Sequence, residues 1–280
     1  MDWGSLYNFP SMKVYISVDM EGIAGIASVD DVRPGGPRYE RGRRLMEEEV
    51  NAIVEYLIEK GVETITVNDS HAFADNLRIE NLHPHVQLIS GYPKTLYMME
   101  GISPEYDAAF FIGYHASAGR THGFLDHTYS SMVIHEIFLN GMRLNEAYIN
   151  GLVAAYYDVP VALISGDDVL YEESKQLFPS TEFVVTKVSL TRNSAILRHP
   201  KRVYREYKNA IDRLMKRQIE PLPIPDRLEF ELVVRDTLMA DRLEVAPFVE
   251  RMDGYRVRFS ASNPIEALKM LRTIIAVARS

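Results

Sequence analysis

The sequence has no cysteine among its 280 residues. Without thiols there can be no disulfides, thiolate zinc fingers, iron–sulfur clusters or cysteine nucleophiles. Any bound metal would therefore be held by His, Asp and Glu side chains.

Basic residues are in the minority, because 31 Lys and Arg stand against 39 Asp and Glu and give a formal net charge of −8. A nucleic-acid interface requires a basic patch, and the sequence has no block of Lys and Arg, so no nucleic-acid partner is expected. No apolar run approaches the length of a membrane span, so no membrane partner is expected either.

The first eleven residues, MDWGSLYNFPS, lack the basic start and the apolar stretch of a signal peptide. They are interpreted as an N-terminal extension, residues 1–11, ahead of the first strand. A cytoplasmic location is therefore expected.

The composition is that of a globular protein, with 46% hydrophobic and 25% charged residues. It excludes a disordered, collagen-like or coiled-coil chain. At about 150 residues per domain, the length indicates one large domain or two interlocked ones.

The first part of the chain alternates strands and helices. KVYISV at 13–18 and VETITV at 62–67 are β-branched runs, and between them apolar residues from Met46 to Ile58 recur on one face of a helix that Gly61 ends. This order predicts parallel strands joined by a right-handed crossover. Further predicted elements are strands at 86–90, 107–112 and 160–165, a hairpin over 128–144 around Asn140-Gly141, and a helix over 146–157.

These elements predict an α/β fold, with a three-layer α/β/α domain and a mostly parallel sheet over residues 12–185. The remainder, residues 186–280, is predicted to be a smaller C-terminal α+β lobe. It contains an amphipathic helix over 200–217, strands at 229–234 and 255–261, and a last helix opened by Asn263 as N-cap and Pro264 at the first position.

Polar groups follow four of the predicted strands. Asp19 and Glu21 follow the first, Asp69 and His71 the second, His115 the strand at 107–112, and Asp167-Asp168 the strand at 160–165. Ligands of open α/β sheets bind outside the carboxyl ends of the strands, so these groups are expected to converge. Asp167-Asp168 is interpreted as a cap of the following helix or a brace of the site.

Such a cluster could serve acid–base catalysis or bind metal, and charge favours metal. Clustered carboxylates repel each other unless a cation or a raised pKa relieves them. Asp19, Glu21 and Glu146 supply −3, which two divalent cations would offset with +4. Neutral His with carboxylates and no Cys suits Zn²⁺, with Mn²⁺ or Co²⁺ as competitors.

Five short blocks occur in order between about Met12 and Ser174: Ser17-Val18-Asp19-Met20-Glu21-Gly22, Asn68-Asp69-Ser70-His71, Ser90-Gly91, Gly113-Tyr114-His115-Ala116 and Tyr156-Tyr157-Asp158-Val159-Pro160. Together they resemble the zinc D-aminopeptidase family typified by the bacterial enzyme of a dipeptide-transport operon. The resemblance implies a binuclear zinc exopeptidase that removes N-terminal D-residues, D-alanine above all, from short peptides.

The same resemblance implies roles for individual residues and two Zn²⁺ ions per subunit. Asp19 is expected to bridge both ions, with Glu21 and His71 completing one site and His115 and Glu146 the other. It also implies a homo-oligomeric ring, for which a decamer is one expected size.

The resemblance gives the catalytic role to His127, as nucleophile or base. The loop between His115 and His127 is one residue longer than the family pattern and adds His122 as a rival. Chemistry favours proton transfer for His127.

Two other functions remain open from the sequence. The same ligands would serve a binuclear metal phosphoesterase, although no Arg or Lys stands next to the ligand motifs. The scaffold would also serve a non-enzymatic metal-binding oligomer, which would bind metal without turnover.

Overall fold

The computed structural model describes residues 12–280 and contains two β-sheets. The predicted N-terminal extension, residues 1–11, lies outside the described residues. The strands are β1 (Lys13–Val18), β2 (Thr64–Asp69), β3 (Val86–Ile89), β4 (Ala108–Tyr114), β5 (Ile134–Leu139), β6 (Met142–Arg143), β7 (Val161–Asp167), β8 (Glu182–Thr191), β9 (Ser194–Leu197), β10 (Leu228–Val234), β11 (Glu250–Arg251) and β12 (Arg256–Ala261). The helices are α1 (Val29–Val32), α2 (Tyr39–Glu59), α3 (Glu146–Tyr156), α4 (Asp168–Ser174), α5 (Pro200–Leu214), α6 (Thr237–Leu243) and α7 (Pro264–Arg279).

The first sheet has seven strands in the order β3-β2-β1-β4-β7-β8-β9. Every neighbouring pair from β3 to β8 is parallel, and only the edge strand β9 runs antiparallel. The predicted α/β class with a mostly parallel sheet is confirmed. The hairpin of β8 and β9 is not among the predicted elements.

Helices cover both faces of this sheet because its strands are apolar on both sides. Val14 and Ile16 of β1 lie in one core with the apolar residues of α2 and α5. Tyr15 of the same strand lies in the other core with Phe111 of β4 and the apolar residues of α3 and α7. The predicted three-layer arrangement follows from this alternation.

The second sheet is antiparallel and has the order β11-β12-β10-β5-β6. Its hairpin of β5 and β6 turns at Asn140 and Gly141, whose φ angles of 50° and 82° suit a two-residue turn, as predicted. This hairpin precedes residue 185 in the chain, yet β5 pairs with β10. Conversely, β8, β9 and α5 belong with the first sheet, so the sheets do not divide at residue 185, and the two-domain division stays a prediction.

The end of α2 and the start of α7 form as the sequence predicts. Gly61 after α2 has a φ of 85°, in the left-handed region that glycine adopts readily. The Asn263 side chain accepts a hydrogen bond from the backbone N–H of Glu266 and caps α7, which has Pro264 in its first turn. Among residues 12–280, no helix is long and apolar enough to cross a membrane.

Candidate metal centre

Five predicted ligands meet at the carboxyl edge of the first sheet. Asp19 and Glu21 lie just after β1, His71 just after β2 and His115 directly after β4, while Glu146 begins α3. All five side chains are buried. Burial of three carboxylates and two imidazoles in one place requires compensation of their charge.

Asp19 is the centre of this cluster. Its Oδ1 lies 3.1 Å from Nδ1 of His71, and its Oδ2 lies 3.4 Å from Nε2 of His115. On one side Glu21 Oε2 is 3.0 Å from His71 Nδ1, and on the other Glu146 Oε2 is 3.7 Å from His115 Nε2. The two oxygens of one carboxylate therefore face two different groups of ligands.

Three of the atoms that point into the cluster are buried and have no hydrogen-bond partner: Asp19 Oδ2, Glu21 Oε2 and His115 Nε2. An unpaired buried polar atom costs about 1–3 kcal/mol, and a cation held by these three atoms would offset that cost. Asp19, Glu21 and His115 can bring one ligand atom each to within 4.8 Å of one another. The residues present thus fit a metal ion.

The other nitrogen of each histidine is occupied by a backbone carbonyl. His71 Nε2 lies 2.6 Å from the oxygen of Val32, and His115 Nδ1 lies 3.0 Å from the oxygen of Ala116. A proton on those nitrogens leaves the lone pairs of His71 Nδ1 and His115 Nε2 directed at Asp19. Histidine ligands of metals are oriented in this way.

The pKa values of these groups reflect the crowding of charge. Burial, reinforced by the charge of Glu21, raises the pKa of Asp19 from 3.8 to about 7. Burial lowers the pKa of His115, but the charges of Glu146 and Asp19 outweigh it and raise that pKa to about 9. Protons on histidine and a bound cation are alternative ways to compensate buried carboxylates, so metal binding by these side chains would be coupled to proton release.

His127 lies beside the second group of ligands. Its ring stacks on that of His115 with centroids 4.1 Å apart and planes 12° apart. Its Nε2 is 4.0 Å from Glu146 Oε1, and its Nδ1 is 2.9 Å from the oxygen of Leu125. His122 is exposed, so of the two rivals it is His127 that the loop brings against the cluster.

His127 is also placed where it could bind metal. His115, His127 and Glu146 each offer one atom within 4.8 Å of the others. The geometry therefore allows His127 a role in proton transfer or in metal binding.

Asp69 and Asp167 support the cluster and do not enter it. Asp69 accepts hydrogen bonds from the backbone N–H groups of Asn76 and Leu77, which fixes the loop that carries His71. Asp167 accepts from two N–H groups at the start of α4 and from the backbone N–H of Ala116, which follows His115. The expected helix cap is therefore confirmed for Asp167, while a bracing role at the site stays a prediction.

Buried polar side chains form hydrogen bonds with the backbone of the loop that carries Asp19 and Glu21. The sequence pattern does not single out these side chains. Thr186 and Lys187 of β8 donate to the backbone oxygens of Gly22 and Glu21, and Glu49 of α2 accepts from the N–H of Ala24 at 2.8 Å. Lys187 offers the one visible signal, because a charged residue interrupts the apolar run of β8.

A doubly covered parallel sheet with a buried carboxylate–histidine cluster at its carboxyl edge has the features of a metal-binding protein of the α/β class. Comparison with known proteins narrows this class. A family model described as D-aminopeptidase, peptidase family M55, matches residues 12–273. The chain belongs to this family, and the predicted metallo-aminopeptidase is confirmed.

Two similar proteins come from Bacillus subtilis. A D-aminopeptidase of strain 168 is 34% identical over 270 residues, which cover 95% of this chain and 98% of the relative. A solved structure, the Zn-dependent D-aminopeptidase DppA, described as a self-compartmentalizing protease, superposes with a TM-score of 0.91 at 32% identity and covers 96% of this chain and 98% of its own.

Proposed function

We propose that this chain is a binuclear zinc aminopeptidase that removes N-terminal D-amino acids, D-alanine in preference, from short peptides. The observation that carries the proposal is the position of Asp19, whose two oxygens lie 3.1 Å from His71 and 3.4 Å from His115. A carboxylate in that position would be shared by the two groups of ligands. The zinc and the D-specificity are supported by what the two relatives are described as.

In this proposal each ion takes three side chains of this chain. Asp19, Glu21 and His71 would hold the first ion, and Asp19, His115 and Glu146 would hold the second. The donor set of carboxylate oxygens and imidazole nitrogens suits Zn²⁺, with Mn²⁺ or Co²⁺ as competitors. When bound, the two ions supply Lewis-acid polarisation of the scissile carbonyl and an anchor for the free amine of the substrate.

His127 moves the proton in this proposal. Its Nδ1–H donates to the oxygen of Leu125, which leaves the lone pair of Nε2 free on the side of Glu146. Burial, together with the neighbouring His115, lowers the pKa of His127. A neutral imidazole can take a proton from the attacking water and return it to the leaving amine, a role worth about 10²–10⁴-fold in rate.

Glu146 is fixed for its role by the backbone beside His127. Its Oε1 accepts a hydrogen bond of 2.6 Å from the backbone N–H of Tyr129, so Oε2 is the oxygen left to face His115. As the first residue of α3, Glu146 also lies where the helix dipole favours a negative charge. These contacts hold the carboxylate in one orientation.

Assembly and location belong to the proposal as well. We propose a homo-oligomeric ring, with a decamer as one size, because the similar structure is described as self-compartmentalizing. The cytoplasmic location stays a prediction from the sequence.

The test is the release of free D-alanine from D-Ala-D-Ala, with the L,L dipeptide alongside and each assay repeated after chelation and zinc add-back. We expect zinc-dependent cleavage of the D substrate. Cleavage of the L,L dipeptide alone would support a metallopeptidase but contradict the proposed specificity for D-residues. The variant Asp19→Ala should lose both bound metal and turnover, and full activity in that variant would remove the assignment of the centre.

A generic chromogenic phosphate ester completes the assay. Its hydrolysis, without release of D-alanine, would support the binuclear phosphoesterase. Bound zinc without turnover on any of these substrates would support the non-enzymatic metal-binding oligomer.

A further inference from the structure

Glu173 of α4 is a largely buried carboxylate outside the candidate ligand set, and its side chain is 9% exposed. Its Oε1 accepts from the hydroxyl of Ser117 at 2.8 Å and lies 3.1 Å from Nε of Arg120. Its Oε2 accepts from the backbone N–H of Ser117 at 3.2 Å and from the amide of Asn145 at 3.1 Å. Four donors therefore converge on one carboxylate.

These partners flank the ligands of the second metal position. Ser117 stands two residues after His115, and Asn145 immediately precedes Glu146. The side-chain oxygen of Asn145 also accepts the N–H of Tyr148 and caps α3, so the turn that presents Glu146 is tied to Glu173. One carboxylate thus holds the segments of both ligands.

Asp167, at the other end of α4, strengthens this arrangement. It accepts from the backbone N–H of Ala116 at 3.0 Å, and Glu173 accepts from the next N–H along the chain, that of Ser117. The two ends of α4 therefore accept hydrogen bonds from the two consecutive backbone N–H groups that follow His115. The first metal position has no such contact with α4 among the described residues, since Asp19, Glu21 and His71 lie on loops held by β8, α2 and Asp69.

We propose that Glu173 is a positioning residue for the second metal position, because it fixes the distance between His115 and Glu146. The inference rests on the proposed two-ion centre. All four groups that contact Glu173 are hydrogen-bond donors, so both of its side-chain oxygens must act as acceptors. A glutamine side chain has one acceptor oxygen, and its NH₂ group adds donors. Loss of a group that orients metal ligands typically costs about 10–100-fold in metal affinity.

The experiment is a titration of the metal-free full-length chain with Zn²⁺ in competition with a chromophoric chelator, which resolves the two binding steps. The variant is Glu173→Gln. Its control is Glu172→Gln, the neighbouring glutamate on the same helix, whose side chain is 57% exposed and pairs with Lys175. Co²⁺ absorption spectra report the ligand geometry of each step independently of activity.

We expect Glu173→Gln to weaken one of the two steps by about 10–100-fold, to change its Co²⁺ spectrum and to leave the other step unchanged. Glu172→Gln should leave both steps unchanged. If both steps of Glu173→Gln match the wild type, or if both weaken equally, the positioning role is wrong.

If Glu173→Gln does not fold, a milder variant tests the same role. Ser117→Ala removes one of the four donors, and we expect a smaller weakening of the same step, while an unchanged titration would count against the proposal. A wild-type chain that binds no zinc, or a single ion, would overturn the two-ion centre itself, and that result is visible before any variant is made.

Discussion

The ammonium group of Lys187 donates a hydrogen bond to the backbone oxygen of Glu21, although 166 residues separate the two in the chain. The same group donates to the oxygen of Ile26 at 2.9 Å and lies 4.7 Å from the ring centroid of Phe124. Lys187 is fully buried. One cation therefore joins the loop that carries Asp19 and Glu21 to the segment that leads to His127.

Replacement of Lys187 by Met removes both donors and keeps most of the volume. The two carbonyls are left without these partners in a buried place, and we expect a loss of stability of about 1–3 kcal/mol. The measurement is the free energy of unfolding by urea, on metal-free protein. The control is Lys175→Met, because Lys175 is a surface residue paired with Glu172 and should change stability little. Equal stability of Lys187→Met and wild type would show that the loop does not depend on this contact.

Stability should depend on pH through Glu49, which accepts from Ala24 and from the hydroxyl of Tyr207. Burial raises the pKa of Glu49 from 4.5 to about 7. The folded chain therefore holds this proton more tightly than the unfolded chain, and the stabilisation, present in full below pH 4.5, is lost as the pH rises through about 7. A raise of this size corresponds to about 3 kcal/mol.

Glu49→Gln mimics the protonated form and should escape this loss. We expect the variant to gain stability relative to the wild type as the pH rises from 4.5 to 8, by up to about 3 kcal/mol. The measurement is urea unfolding in chelator at each pH. Glu48→Gln is the control, because the Glu48 side chain is 46% exposed and pairs with Arg44 at 2.6 Å. A constant difference between Glu49→Gln and wild type across the pH range would contradict the role of burial.

The parallel sheet and its carboxyl edge could be predicted because their signals are local. A β-branched run that ends in Asp-Met-Glu-Gly can be recognised from about ten consecutive residues. The parallel topology that such runs predict then brings Asp19, His71 and His115 to one edge of the sheet. The turn at Asn140-Gly141 is equally local. Its pairing partner is not, because β5 meets β10 some 90 residues later, and that pairing depends on the whole fold.

The supports of the centre could not be predicted for the same reason. Lys187 and Glu173 are ordinary charged residues in the sequence, and their importance comes from the backbone groups that the fold brings to them. The loops at this edge also hold non-glycine residues with positive φ, such as Ala72, His122 and Leu125. Such strained conformations cluster at functional sites and are fixed by the surrounding structure rather than by residue type.

His127 and His122 can be separated by matched replacements with Asn. The ring of His127 stacks on His115 and faces Glu146, whereas His122 is exposed on the same loop. If His127 transfers the proton, His127→Asn should lose about 10²–10⁴-fold in kcat and keep both bound zinc ions, while His122→Asn keeps wild-type activity. The measurements are kcat with a D-alanyl dipeptide and metal content after gel filtration. Loss of zinc together with kcat in His127→Asn would instead make His127 a metal ligand, and loss of kcat in His122→Asn alone would transfer the catalytic role to the exposed histidine.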